Sequence, residues 1–169
     1  MQKGQRGLCP FFFEMDRKAV TGLAVMVLPM ESAHIAAIAA LEEQCFSTPW
    51  SAASLREELD NPRAVFRVAV DESGHVIGYA GMHHVGDEGY IDNVAVFPEA
   101  RRQGVARGLV RALECYGREY ELHRLTLEVR VSNAAAKLLY EGCGYVCDGV
   151  RPRFYRKPLE DAAIYSLYL

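Results

Sequence analysis

The densest chemistry of this chain lies between Ile91 and Arg111. There Pro98-Glu99-Ala100-Arg101-Arg102-Gln103-Gly104-Val105-Ala106-Arg107-Gly108 separates a strand-like run from a helix-like one. A helix start exposes backbone N–H groups without an intrahelical acceptor, together with the positive end of the macrodipole. Small residues at Gly104 and Ala106 let that backbone approach a phosphate closely. Five arginines and one acid, Glu114, fall between Arg101 and Arg118, in a chain whose net charge is −3. The stretch suits an anionic ligand, although a solvated helix face would have the same composition. Two common phosphate loops do not fit it. A Walker loop ends in Gly-Lys-Ser/Thr, which is absent, and a dinucleotide fingerprint needs Gly-x-Gly-x-x-Gly, where this chain has Ala106 and then Gly108.

Other reactive residue types point to less. The five cysteines (Cys9, Cys45, Cys115, Cys143 and Cys147) are odd in number and include no CxxC, so neither a zinc framework nor a disulfide scaffold is expected. Cys143 follows Tyr140 by one helical turn and would be the residue for covalent nucleophilic catalysis, but buried small cysteines are the usual case and no His is near in sequence. His83 and His84 precede Asp87 and Glu88. Adjacent residues on a strand point to opposite faces, so no shared metal is expected and the cluster reads as a loop edge.

The elements that must position these groups follow from hydrophobic period. Residues 1–22 show no clear period and read as an N-terminal extension; one domain over 23–169 follows. Leu23 to Met30 reads as a strand. Glu31 and Ser32 supply cap and first-turn chemistry for a helix carrying Ile35, Ile38 and Leu41. A short helix runs from Ser51 to Leu59, stopped by Asn61-Pro62. Ala64 to Val70, Val76 to Val85 and Gly89 to Phe97 alternate with period 2 and form a meander, with Asp71-Glu72-Ser73-Gly74 as its first turn. Helical spacing returns at Val105, Leu109, Ala112, Leu113 and Tyr116. His123 to Val131 is a strand and Asn133 to Glu141 a helix that ends at Gly142 and Gly144. Tyr145 to Val150 and Ala162 to Leu169 are the last strands, with Arg153-Phe154-Tyr155 in a turn between them.

Composition excludes several classes. The chain has 169 residues, 50% hydrophobic and 24% charged, which is ordinary for one globular domain and unlike a fibrous or disordered protein. A net charge of −3 argues against direct nucleic-acid binding. Glu14, Asp16, Arg17 and Lys18 cut short the apolar run before them, and no run approaches the ~20 residues of a membrane span. A cytoplasmic protein with no membrane contact is expected.

Arg101-x-x-Gly104-x-Ala106, after Asn93-Val94-Ala95-Val96 and a proline, resembles the coenzyme A loop of the GNAT superfamily of N-acetyltransferases. The resemblance covers about residues 24–169. Leu127-Glu128-Val129-Arg130-Val131-Ser132-Asn133-Ala134-Ala135-Ala136, then Leu139-Tyr140-Glu141, narrows it to the bacterial ribosomal-protein alanine N-acetyltransferases, together with Phe46-x-x-Pro49-Trp50 and Glu160-Asp161-Ala162. It implies an α/β fold with a mixed, largely antiparallel central sheet flanked by helices on both faces. It implies acetyl-CoA as the acetyl donor and no metal. The backbone of Val94, Ala95 and Val96 would meet the pantetheine arm, and Arg102, Gln103, Gly104, Val105, Ala106 and Arg107 would wrap the pyrophosphate. Asn133 would bind the coenzyme, cap its helix, or both. Ala106 stands where many relatives have Gly and leaves slightly less room for the phosphate.

The same resemblance gives Glu128 the part of general base and Tyr140 that of general acid; without it, a Glu on the polar side of a strand is more often merely solvated. It implies a protein or peptide N-terminus as partner, a ribosomal protein in particular, recognised by Phe46 to Trp50 and by Arg153-Phe154-Tyr155. Arg153 to Lys157 is more basic than an arginine-rich acceptor would favour. Proton energetics agree with an α-amine: its pKa is about 7.7 to 8.0 against about 10.4 for lysine, so freeing a lysine near neutrality costs roughly 3 kcal/mol more. Two alternatives remain open at the level of sequence: the same chemistry on a small-molecule amine or lysine side chain, and a coenzyme A-binding module without turnover.

Overall fold

The computed structural model describes residues 25–169. The extension expected at 1–22, and the first two residues of the strand expected from Leu23, lie outside the described residues. Seven strands form one sheet: β1 (Met26–Pro29), β2 (Ala64–Val70), β3 (Val76–Val85), β4 (Glu88–Val96), β5 (Arg124–Arg130), β6 (Val146–Arg156) and β7 (Leu159–Tyr168). Their order across the sheet is β1-β2-β3-β4-β5-β7-β6, and every pairing is antiparallel except β4 with β5. Helices α1 (Ile35–Cys45), α2 (Ala52–Glu57), α3 (Val105–Glu119) and α4 (Ala134–Gly142) complete the expected mixed α/β architecture.

Two apolar layers show how the sheet separates the helices. Alternate residues of the central strands send Val65, Met82, Ile91, Leu125, Leu127 and Val129 against α3 and α4, where Val105, Leu109, Val110, Leu113 and Tyr140 meet them. The opposite face places Phe66, Val68, Tyr79 and Ala95 against Ile35, Ile38, Leu41 and Leu55 of α1 and α2. Burying a side chain of this size contributes about 1.5 to 3 kcal/mol, so each layer outweighs any single polar contact at the site.

The parallel junction positions the site. β4 and β5 pair only where they begin: Glu88 lies opposite Arg124, Gly89 opposite Leu125, and Tyr90 opposite Thr126. A Cβ on Gly89 would fall 2.5 Å from Leu125 Cδ2, so glycine permits this close approach. Beyond it the strands diverge. β4 continues with β3 through Val96 and β5 continues with β7 through Arg130. Between them a wedge opens at the carboxyl ends of the two parallel strands, where ligands enter open α/β sheets.

Two expectations need correction. Arg153-Phe154-Tyr155 is not a turn: β6 runs on to Arg156, and the chain reverses between there and Leu159. Register shifts between Cys147 and Gly149 and between Arg151 and Tyr155, with Arg153 at φ 53°, break the alternation by which a strand is recognised. Nor are His83 and His84 a loop edge, since both lie within β3. Their rings do face opposite ways, His84 toward Tyr116 of α3 and His83 toward Trp50 and Phe66.

Among the described residues Cys45, Cys143 and Cys147 are free thiols, and no helix is long and apolar enough to cross a membrane.

Candidate active site

The loop from Pro98 to Gly104 enters α3 through two left-handed residues, Arg102 at φ 62° and Gly104 at φ 83°. The first backbone bond of the helix runs from Gly108 N–H to the Gly104 carbonyl, 3.0 Å. Upstream of it, the N–H groups from Arg102 to Arg107 find no acceptor among the described residues. Successive unpaired N–H groups at a helix start form an anion cradle. The arginines divide by task. Arg111 and Arg118 of α3 pair with the buried Glu114 at 2.6 and 3.7 Å, and Arg101 Nε donates to the Val96 carbonyl at 3.0 Å. Arg102 and Arg107 have no ion-pair partner among the described residues and are exposed, which leaves them available to a phosphate.

Facing the wedge, alternate backbone groups of β4 beyond Tyr90 have no strand partner on the β5 side, and Val94, Ala95 and Val96 are among them. Asn133 caps α4: its Oδ1 accepts from Ala136 N–H at 3.1 Å. Val94 to Val96 and Arg102 to Arg107 make one rim, of an unpaired strand edge followed by an unpaired helix start. That rim fits an extended amide-bearing arm ending in a pyrophosphate.

Glu128 sits on β5 with its side chain 4% exposed, on the same face as Arg130. Its carboxylate has two partners that sequence reasoning missed. Tyr90 O–H donates to Oε2, and Arg151 Nη1 lies 2.8 Å from Oε1. Burial, and then the bond to Glu128, raise the Tyr90 pKa well above a phenol's usual value. Arg151 is 54% exposed, so its guanidinium has room to move into solvent if another cation takes its place beside the buried carboxylate. Tyr155 O–H reaches the Glu128 carbonyl at 3.1 Å.

Tyr140, on α4, is 7% exposed, and its hydroxyl has no hydrogen-bond partner among the described residues. Burial, then the nearby Tyr155 and Cys143, raise its pKa, so the phenol keeps its proton. Cys143 is buried, and burial raises its thiol pKa, the opposite of an activated nucleophile.

On the Glu128 face a cleft of about 170 Å³ is lined by Cys45, Phe46, Ser47, Thr48, Trp50, Asn93, Arg130 and Tyr155. Of the segment Phe46 to Trp50 all but Pro49 line it; of the Arg153-Phe154-Tyr155 run, only Tyr155 does. The buried Glu42 anchors this wall, accepting from Trp50 N–H at 2.8 Å, Asn93 Nδ2 at 2.9 Å and the Tyr79 hydroxyl. No sequence signal marks that network, since a single Glu among apolar helix residues looks like a solvated one.

Residues 35–145 match the model of the acetyltransferase (GNAT) family. The chain belongs to the GNAT acetyltransferases. It is an acetyl-CoA-dependent N-acetyltransferase. Curated relatives of this acetyltransferase include the ribosomal protein bS18-alanine N-acetyltransferase of Escherichia coli strain K12, 31% identical over 140 residues, which are 82% of this chain and 93% of the relative. The N-alpha-acetyltransferase RimI of Mycobacterium tuberculosis is 34% identical over 130 residues, 73% of this chain and 80% of that one. The crystal structure of the Escherichia coli ribosomal-protein-S18-alanine N-acetyltransferase superposes with a TM-score of 0.76 at 29% identity, covering 85% of this acetyltransferase and 93% of that chain.

Proposed function

We propose that this acetyltransferase modifies the α-amine of a protein N-terminus that begins with alanine, and that a ribosomal protein of the S18 type is its acceptor. The observation that carries this reading is the wedge between β4 and β5, with an unpaired strand edge and helix start on one side and, on the other, a cleft lined by Tyr155, whose hydroxyl reaches the Glu128 carbonyl. Identity of 31–34% to relatives named for N-terminal acetylation supports the same acceptor class.

Acetyl-CoA, when bound, supplies an acetyl thioester whose C–S bond is exchanged for a C–N bond. The N–H groups between Arg102 and Arg107 hold the pyrophosphate, helped by the Arg102 and Arg107 side chains. Val94, Ala95 and Val96 hold the pantetheine arm through backbone groups and polarise the thioester carbonyl; Asn133 contributes from the head of α4. Glu128 takes the proton from the incoming ammonium, directly or through one water, with Tyr90 fixing the orientation of its carboxylate. Arg151 yields its place to the ammonium as the acceptor enters. Tyr140 delivers the proton that the departing thiolate needs, and solvent restores it.

The test measures thiol release from acetyl-CoA with two peptides that begin Ala-Arg and carry an internal lysine, one with its α-amine blocked. Release with the free terminus alone is expected. Equal release from both would make this a lysine acetyltransferase, and release with neither would remove the N-terminal reading.

A further inference from the structure

The transfer chemistry makes no use of His83. Its ring lies on β3 between carboxylates from two other elements: Nδ1 is 2.6 Å from Asp92 on β4, and Nε2 is 2.8 Å from Glu58, the C-terminal cap of α2. A neutral imidazole offers one N–H and one lone pair. Between two ionised carboxylates it satisfies one and turns a lone pair on the other. Both contacts become hydrogen bonds when the ring carries two protons. The ring also packs 6.2 Å from Trp50, which lines the cleft, and edge-on against Phe66 at 6.0 Å. One side chain thus ties α2, β4 and the cleft wall together.

We propose that His83, as an imidazolium bridging Glu58 and Asp92, is a positioning residue that holds α2 and Trp50 against the sheet and so shapes the acceptor side of the cleft. The role rests on the acceptor occupying that cleft; the bridge itself does not. The charged groups facing the ring are Glu58 from α2, which also accepts from Asn61 Nδ2 at 2.7 Å, and Asp92 from β4. On β4 its cross-strand neighbour Tyr90 directs its hydroxyl to Glu128. β2 presents Ala64 and Phe66, and the connection before α2 presents Trp50, none of them titratable.

Burial by itself would lower the His83 pKa, but the hydrogen bonds to Glu58 and Asp92 outweigh it and hold the pKa above the ordinary 6.5. Asp92 is raised by burial against the pull of the same bond. A raised pKa means that the bridge is complete below about 6.5 and is released as pH climbs through the folded value.

Trp50 is the single tryptophan of the chain, so its emission reports the ring beside it without any acceptor. In the full-length protein, emission should titrate with a midpoint above about 6.5, and the transition should vanish in His83→Ala. The peptide KM should rise about fivefold through the same interval, a loss on the scale of one ordinary intramolecular hydrogen bond, with kcat following the amine alone. His83→Ala should show the high KM at every pH. Glu58→Gln separates positioning from mere structure: the new amide can donate to a neutral ring nitrogen, so the bridge survives deprotonation. Its emission should still titrate, at a lower midpoint, while KM stays at the low-pH value. A Trp50 transition that persists in His83→Ala, or a KM profile in Glu58→Gln identical to that of the parent, would overturn the proposal. If neither peptide is acetylated, the acceptor reading fails, and the Trp50 titration decides the bridge by itself.

Discussion

At the scale of single residues, the proposed base is defined by what surrounds it. Glu128 is nearly buried, yet both carboxylate oxygens are engaged, by Tyr90 and Arg151. Such a group is oriented before an amine arrives, and geometry precedes proton transfer in deciding which carboxylate acts. Glu128→Gln keeps the shape and one acceptor oxygen but removes the base. Turnover should fall by about 10² to 10³, since positioned proton transfer contributes on that order, while acetyl-CoA affinity measured by calorimetry stays as in the parent. Turnover within a few fold of the parent would remove Glu128 from the mechanism. The Leu-Glu-Val-Arg run made Glu128 legible in the sequence by its resemblance. Tyr90 and Arg151 were not legible, because they stand on other strands and reach Glu128 only once β4, β5, β7 and β6 are in order.

At the scale of elements, the loop into α3 was the most readable part of the chain, and the reason is local. A glycine at a helix start, preceded by proline and followed by a strong apolar period, specifies its own conformation. The left-handed φ of 83° at Gly104 is the feature that a side chain cannot copy cheaply. A β-branched residue there costs on the order of 1 to 2 kcal/mol in backbone strain. Gly104→Val should therefore fold yet bind acetyl-CoA about tenfold more weakly, since distorting the cradle by about 1.4 kcal/mol costs a factor of ten; unchanged affinity would show that the cradle does not hold the coenzyme. β6 was misread for the opposite reason. Its two register shifts move side chains from one face to the other midway, so no single alternation runs through Val146 to Arg156. Most of its residues are also exposed, as befits an edge strand, and hydrophobic period has little to act on.

At the scale of the whole molecule, the parallel junction holds apart the two halves of the sheet. On one face a single apolar layer under α3 and α4 runs from Val65, Met82 and Ile91 to Leu127, Val129 and Tyr165, on the other α1 and α2 cover β2 to β4 alone, and in the sheet itself three residue pairs join β4 to β5. A coenzyme lying in the wedge would bridge those halves, so binding should stabilise the entire fold and not the loop alone. At a concentration of about 100 times Kd, mass action adds about 2.7 kcal/mol, which for a domain of this size is a rise in Tm of roughly 5 to 10 °C. A thermal melt with acetyl-CoA checks this, and Glu128→Gln should show the same shift. A melt that saturating acetyl-CoA leaves in place would mean that the wedge is not where it binds.

By itself the sequence determined the strands of the meander, the four helices, the glycine-led loop into α3 and, through its motifs, the acetyltransferase class. Those features are written in residue types within a dozen positions of one another, where backbone preference and hydrophobic period act directly. What only the tertiary structure decided is which distant groups meet: Tyr90 and Arg151 on Glu128, Glu42 beneath Trp50, and His83 between Glu58 and Asp92. Each of these contacts joins polar groups brought together by apolar layers that carry no information about them. Burial sets the sheet order, and the sheet order then chooses the neighbours.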